Sequence, residues 1–313
     1  MLSTLEGSTR MKRIFLLFLS VLLLLCGCGG REAEALRLGV MYSADILPLA
    51  LMKEQGMDQA HGFTLDMQVF SSAKDRDAAL QAGELDGVFT DYIGVCIYQN
   101  AGLDVRITGV TDGDYLLLAA PGSGIGSLAG AAGQRVAISQ NTLIEYALEY
   151  ILGEEGYPPD YLKKELVPRI PDRLQMLREN KVELVLLPEP FSTLALQEGA
   201  TALGSANTSH LYPAVSAFTG TALEKKGGEI TRFYEAYDEA AGQLNALPAG
   251  EIDPALLEAA GFPKEAGVPA TLPHYRPSAL PSREDLQRAI GWAAERGLCS
   301  GDLSPDALLG SPR

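Results

Sequence analysis

Cysteine and histidine are scarce in this chain, with four of the first and three of the second among 313 residues. Cys26 and Cys28 lie near the N-terminus, which leaves Cys96 and Cys299 far apart in sequence and no CxxC pair. Cys96, inside YIGVCIY, reads as a buried apolar residue rather than a redox centre. His61, His210 and His274 are scattered, with no HExxH and no cysteine at ligand spacing, so no transition-metal site is expected. Basic residues are outnumbered, 25 against 40 acidic, for a formal charge of −15. No Lys/Arg cluster follows the N-terminal leader, and binding driven by counterion release needs a basic face; nucleic acid is therefore not an expected partner. A Ser-His-Asp order, a P-loop and a dinucleotide fingerprint are also missing. GSGIGSLAG contains G-x-G but lacks the strand-to-helix context of a phosphate site and reads as linker. No catalytic residue and no cofactor is indicated.

What is present begins with MKRIFLLFLSVLLLLCGCGG, residues 11–30. Lys12 and Arg13 precede an apolar run from Ile14 to Leu25. At a rise of about 1.5 Å per residue that run reaches only ~18 Å, short of the ~30 Å hydrocarbon layer, so it reads as a secretory segment rather than a permanent span. Met1 to Arg10 carry no targeting character, which makes Met11 a candidate start. Leu25-Cys26-Gly27-Cys28 resembles the lipobox of bacterial lipoproteins, which implies acylation of Cys28 and a mature chain held at the membrane by lipid. The alternative is an ordinary signal peptide cleaved nearby. Residues 1–27 are then a signal peptide and 28–35 a short tether.

The remainder is long enough to favour two lobes over one. From Leu36 onward, short apolar runs alternate with amphipathic segments, the pattern of an α/β protein. LRLGVMYS, FTLDMQVFSS and DGVFT are expected strands, separated by helices over Pro48 to Gln55 and Lys74 to Ala82 and followed by one over Tyr92 to Asn100. VRITGVTD and YLLLAAP are further strands leading into GSGIGSLAGAAGQ, which reads as a crossing between lobes. The alternation restarts with the strand RVAIS, a helix over Thr142 to Gly153, the strand ELVPRI, a helix over Asp172 to Glu179 and the strand ELVLL. PFSTLALQEG is a helix, TALG a short strand and LYPAVSAFTGTAL a return crossing. Only helices are expected afterwards, over Glu229 to Leu247, Pro254 to Ala260 and Arg283 to Arg296. The expected division is 36–115 plus 212–313 for lobe I and 116–211 for lobe II.

One internal comparison bears on function. GELDGVFTDY and NKVELVLLPE each follow a helix and open with Gly83 or Asn180, residues that tolerate the left-handed backbone at a helix end. Each continues through an apolar residue and an acid into an apolar strand, and each carries an acid just past it, Asp91 or Glu189. Ligands of open α/β sheets bind at such strand ends.

The order LRLGVMYSADILPLALMKEQG, LQAGELDGVFTDY, a glycine-rich passage, RVAIS with its helix, and LRENKVELVLLPEPF resembles the solute-binding proteins of the nitrate/sulfonate/taurine and thiamine-pyrimidine (NMT1-like) ABC importers. The resemblance spans nearly all of residues 36–225. It implies two Rossmann-like lobes joined by two crossing strands, a type II periplasmic-binding-protein fold, here with a helical C-terminal extension. It further implies a monomer that closes over a small molecule and delivers it to an ABC permease and its ATPase. Carried over position by position, Tyr42, Ser43 and Asp45 fall on a cleft loop after the first strand. Asp91 and Tyr92 follow the third strand, and Gln140, Asn141 and Thr142 open a helix whose free N–H groups suit a polar acceptor. Glu189 and Tyr212 complete the expected set, although each acid can equally be a cap or a solvated loop residue.

Asp45, Asp91 and Glu189, with Glu145 one turn inside a helix, disfavour an anion in the cleft, because unpaired carboxylates around it would cost several kcal/mol. A solute that donates hydrogen bonds or carries positive charge is expected, such as a thiamine-precursor aminopyrimidine, with tyrosine rings stacking on it. The resemblance also extends to enzymes of this fold, chorismate dehydratases and fungal pyrimidine synthases, in which Asp45 or Glu189 would be a general base. An export leader speaks against that alternative. A third is a lipoprotein that reports its ligand to a membrane sensor.

Overall fold

The computed structural model describes residues 34–248, 251–267 and 272–311, so the leader, Cys28 and the tether up to residue 33 lie outside the described residues. No helix of the described residues is long and apolar enough to cross a membrane.

The chain starts with β1 (Leu36–Met41) and a one-turn helix, Ala44–Ile46, then α1 (Leu47–Glu54), α2 (Met57–Ala60), β2 (Leu65–Phe70), α3 (Ala73–Gln81), β3 (Gly87–Asp91), α4 (Tyr92–Asn100) and β4 (Val105–Val110). It continues through β5 (Tyr115–Ala119), β6 (Arg135–Ile138), α5 (Leu143–Glu154), β7 (Lys163–Leu166), α6 (Ile170–Arg178), β8 (Leu184–Pro188), α7 (Phe191–Gln197) and β9 (Thr201–Ser205). The last elements are β10 (Ala214–Thr219), α8 (Gly220–Lys225), α9 (Gly227–Ala246), α10 (Pro254–Ala259), α11 (Arg283–Glu295) and α12 (Pro305–Leu308).

The strands form two five-stranded sheets of matching design, β2-β1-β3-β10-β4 and β7-β6-β8-β5-β9. Four strands of each run the same way, and the fifth, β10 or β5, is antiparallel to its two neighbours and arrives from the other half of the chain. β3 and β8 therefore occupy equivalent central places, buried along their whole length. The left-handed turns expected before them are present, at Gly83 (φ 74°) and Asn180 (φ 53°). The acid of each turn has the same task. Asp86 accepts from the Arg37 amide at 2.8 Å and pairs with its guanidinium at 2.9 Å. Glu183 accepts from the Arg135 amide at 3.0 Å and pairs with its guanidinium at 2.6 Å. The two locks fix the register of β1 against β3 and of β6 against β8 with charge-assisted hydrogen bonds.

Three sequence assignments need correction. The chain passes between the sheets at residues 111–114, before the glycine-rich stretch, because the apolar run of β5 pairs antiparallel with β8 and so already belongs to the second sheet. Gly122, Gly124 and Gly133 instead make left-handed turns on the way to β6. The strand placed at ELVPRI ends at Leu166, and Ile170 opens α6, since Pro171 suits a first helical turn and has no N–H to give a ladder. Only the middle of LYPAVSAFTGTAL, Ala214–Thr219, is strand, lying inside the first sheet as β10, and Gly220 onward begins α8.

One apolar core joins β1 to α1, α9 and α10 through residues such as Leu38, Leu49, Phe233 and Leu256. Another runs without a break from the first sheet to the second, through Ile93 and Tyr98 of α4, Ile144 and Leu148 of α5, and Leu286 and Ile290 of α11. The C-terminal helix α11 thus leans on both halves. Its Trp292 donates to Glu149 of α5 at 2.7 Å and packs edge-on against Tyr146, while Arg296 pairs with the same carboxylate. Cys96 and Cys299 are both free and buried, Cys96 within α4.

Candidate functional site

The C-terminal ends of β1 and β3 and the start of α5 converge on a cavity of about 70 Å³ between the two sheets. Five of the residues expected from sequence line it: Tyr42, Ser43, Asp45, Asp91 and Thr142. Asp45, in the one-turn helix after β1, accepts a hydrogen bond from Thr111 Oγ1 at 2.9 Å. Burial raises its pKa to about 6 despite that bond. Asp91 closes β3 and caps α4, accepting from the Gly94 amide at 2.9 Å. Burial again dominates, raising it to about 6 against the opposing charge of Arg76 and the Gly94 hydrogen bond. Asp91 is thus both cap and cavity wall. Thr142 has a similar double place: it caps α5 through the Ile144 amide at 3.2 Å, and its hydroxyl donates to Ser139 O at 2.9 Å.

Five expected residues lie elsewhere. Tyr92 is buried in the core with its hydroxyl donating to Tyr212 O at 3.1 Å, and Tyr212 is an exposed ring under the Arg276 guanidinium. Gln140 is exposed, and Asn141 sits at φ 56° with its amide given to Glu145 at 2.7 Å. Glu145 itself pairs with Lys164 at 2.8 Å and is no cleft acid. Glu189 does not face the same hollow as Asp91. It borders a separate cavity of about 360 Å³ with Asp114, Thr193 and Thr208, where its carboxylate accepts from the Thr193 hydroxyl at 2.9 Å and amide at 3.2 Å. Pro188, its neighbour, lines the first cavity, so the strand end divides the two spaces. Burial raises the Glu189 pKa.

Two buried arginines complete the first cavity and were not anticipated. Arg76 on α3 is fully engaged, donating to Phe89 O at 2.7 Å, Asp77 at 2.8 Å, and the hydroxyls of Thr90 and Tyr98 at 3.1 Å each. Arg173 on α6 differs. It is 1% exposed, and its Nε and Nη1 have no hydrogen-bond partner among the described residues. Burial alone lowers its pKa to about 9, with no carboxylate close enough to hold it up. Both arginines stand on the apolar stripes of their helices, Arg76 with Ala79 and Leu80, Arg173 with Ile170, Leu174 and Leu177. That helical spacing was the available signal.

Tyr42 at the cavity also meets the Phe191 ring edge-on at 6.3 Å, and Gln197 Nε2 on α7 donates to Ala266 O at 2.9 Å. Among the described residues, no group of three or more His, Cys, Asp or Glu side chains is placed to hold a metal ion.

The model of the NMT1-like family matches residues 29–226. Among solved structures, the periplasmic aliphatic sulphonate binding protein SsuA of Escherichia coli superposes with a TM-score of 0.70 at 19% identity, covering 90% of this chain and 93% of that one. The alkanesulfonate-binding protein SsuA of Xanthomonas axonopodis pv. citri, bound to MOPS, gives 0.73 at 18% identity over 89% and 99%. The periplasmic nitrate-binding protein NrtA of Synechocystis PCC 6803 gives 0.68 at 13% identity over 88% and 84%. At such identities the likeness is one of fold. A search of curated proteins finds no match.

Proposed function

From the chain's membership of the NMT1-like family, we propose that it is an exported solute-binding protein that closes its lobes over a small organic molecule and presents it to an ABC permease and its ATPase. The observation that carries this reading is the placement of the cavity: Asp45 and Asp91 stand at strand ends of the first sheet, Thr142 and Arg173 on the helices that follow β6 and β7 of the second, so a ligand there bridges both lobes. Binding energy is then spent on holding the lobes together, which is what a clamp requires and a catalyst does not. The division into lobes at 36–115 plus 212–313 and 116–211 belongs to the same proposal, except that Tyr115 goes with β5 in the second lobe. So do a lipid anchor at Cys28, a monomeric state and the tether of residues 28–35.

Asp45, Asp91 and the Tyr42 ring favour a solute that donates hydrogen bonds, an aminopyrimidine or similar amine or heterocycle among them. A simple alkanesulfonate, of the kind the Xanthomonas protein binds, would bring its anion beside those two carboxylates. Native mass spectrometry of the purified protein, followed by thermal-shift screening, tests the reading. A solute at 100 times its dissociation constant should add about 2.7 kcal/mol of apparent stability. Recovery of the bound molecule unchanged is the expected result, and its conversion to product on incubation would replace the carrier reading with an enzyme. Partition into a detergent phase, lost on Cys28→Ser substitution, tests the anchor.

A further inference from the structure

Cys96 and Cys299 are roughly two hundred residues apart in sequence, and the fold brings them together. Cys96 stands in the middle of α4 with no exposed surface, and α11 and α12 both pack on that helix. After α11 the chain turns back through the left-handed Gly297 and sets Cys299 in the same apolar core. The Cys299 thiol points inward, donating to Ile290 O at 3.8 Å, and it lies against the Cys96 thiol. Neither cysteine lines the cavity between the sheets.

Their surroundings set the order in which the two sulfurs react. Cys96 is sealed inside a helix interface, and burial raises its thiol far above the ordinary range, so little thiolate forms there. Cys299 is 7% exposed, and Ser300, Gly301 and Asp302 beyond it lie at the surface, so a small opening of the C-terminal turn uncovers it. Burial raises this thiol too, but the Cys96 thiol opposes the rise by offering a hydrogen bond to the Cys299 thiolate.

We propose that Cys96 and Cys299 form a disulfide that staples the C-terminal segment to α4. The oxidant is a small-molecule disulfide such as oxidised glutathione. The Cys299 thiolate attacks it, forming a mixed disulfide and releasing one thiol. The Cys96 sulfur, having given up its proton, then attacks the Cys299 sulfur and releases the second. Two protein thiols are oxidised and one external disulfide is reduced to two thiols. The bond closes a loop of roughly two hundred residues, the long-loop case in which restriction of the unfolded chain is greatest. Nothing in this step depends on what the cavity binds, and export, part of the reading above, would put the pair where such bonds persist.

The test uses the mature chain, residues 28–313, with Cys28→Ser, so that Cys96 and Cys299 are its only thiols. It is held in equimolar oxidised and reduced glutathione, quenched in acid, unfolded and alkylated. The cross-linked form should outnumber the dithiol at least about tenfold, and digestion should yield one fragment joining the two cysteines. The cross-linked chain should melt at least about 5 °C above the reduced one, and that difference should vanish in Cys299→Ser. In urea, where only chance brings such distant residues together, the cross-linked fraction should fall at least about fivefold. Two alkylated cysteines, glutathione adducts in place of the cross-link, equal cross-linking with and without urea, or a cross-linked chain that melts no higher than the reduced one each overturn the inference. None of these results bears on the carrier reading, which the solute screen decides.

Discussion

Replacing Asp45 by asparagine should make the ligand-free protein more stable at neutral pH and remove part of its pH dependence. Asp45 is buried, and its pKa stands at about 6 in the folded chain against an ordinary 3.8. At about 1.4 kcal/mol per tenfold change in proton affinity, that rise corresponds to about 3 kcal/mol. Between pH 4 and 6 the folded state holds a proton that the unfolded state has released. The stability linked to it is therefore complete below about pH 4 and lost as pH rises through about 6. Asparagine keeps an oxygen to accept from Thr111 and is neutral throughout, so the variant keeps what the wild type loses. The assay is urea unfolding of both proteins from pH 4 to 7.5. The variant's advantage should grow by about 3 kcal/mol across that range. Carboxylates held low by their partners, such as Asp86 and Glu149, act in the opposite sense but cancel in the difference. An advantage that stays constant with pH, or a variant less stable than wild type at pH 7, would refute the argument.

Three further outcomes are expected. Asp91→Asn, which keeps the cap on Gly94 but not the charge, should weaken binding of an amino-bearing solute about tenfold, whereas Glu189→Gln in the separate cavity should change it less than about twofold by calorimetry. Gly87→Ala should cost about 1–3 kcal/mol in urea unfolding, because a Cβ there would stand 2.4 Å from the Phe218 ring and 2.8 Å from Ala217 O. Glu149→Ala should cost a similar amount and shift the emission of Trp292, the only tryptophan, to longer wavelength, since the carboxylate that receives its N–H is gone.

The fold was legible because the hydrophobic pattern carried it. Buried strands such as ELVLL and helices with one apolar face announce themselves, and Gly83 and Asn180 mark where helices must end. The acids inside the two repeats, Asp86 and Glu183, were visible but their purpose was not, because each is explained by an arginine about 50 residues away. The crossing point was misplaced for a similar reason. Glycine content signals a turn, whereas membership of a sheet is decided by the partner strand, here β8, which lies much later in the chain.

The site was half legible. Acids at strand ends were sought, and Asp45 and Asp91 were found by that rule. Glu189 followed the same rule but faces away, since alternate residues at a strand end point to opposite sides and Pro188 took the inward place. Arg76 and Arg173 escaped because they lie within helices, where a basic residue is usually solvated. Their spacing with leucines and alanines on the buried stripe was the contrary sign.

The uninterrupted oily seam through α4, α5 and α11 acts like the spine of a book, and it restricts how the covers can swing. Separation at that edge would expose a broad apolar area, so the pages must part on the opposite edge. There, among the described residues, Tyr42 meets Phe191, Met41 and Tyr42 pack against the core that holds Ile170 and Leu187, and Gln197 donates to the carbonyl of Ala266, itself buried in that core. A few side-chain contacts and a small apolar patch, set against so long a seam, give a bound guest leverage over whether the volume stands open or shut.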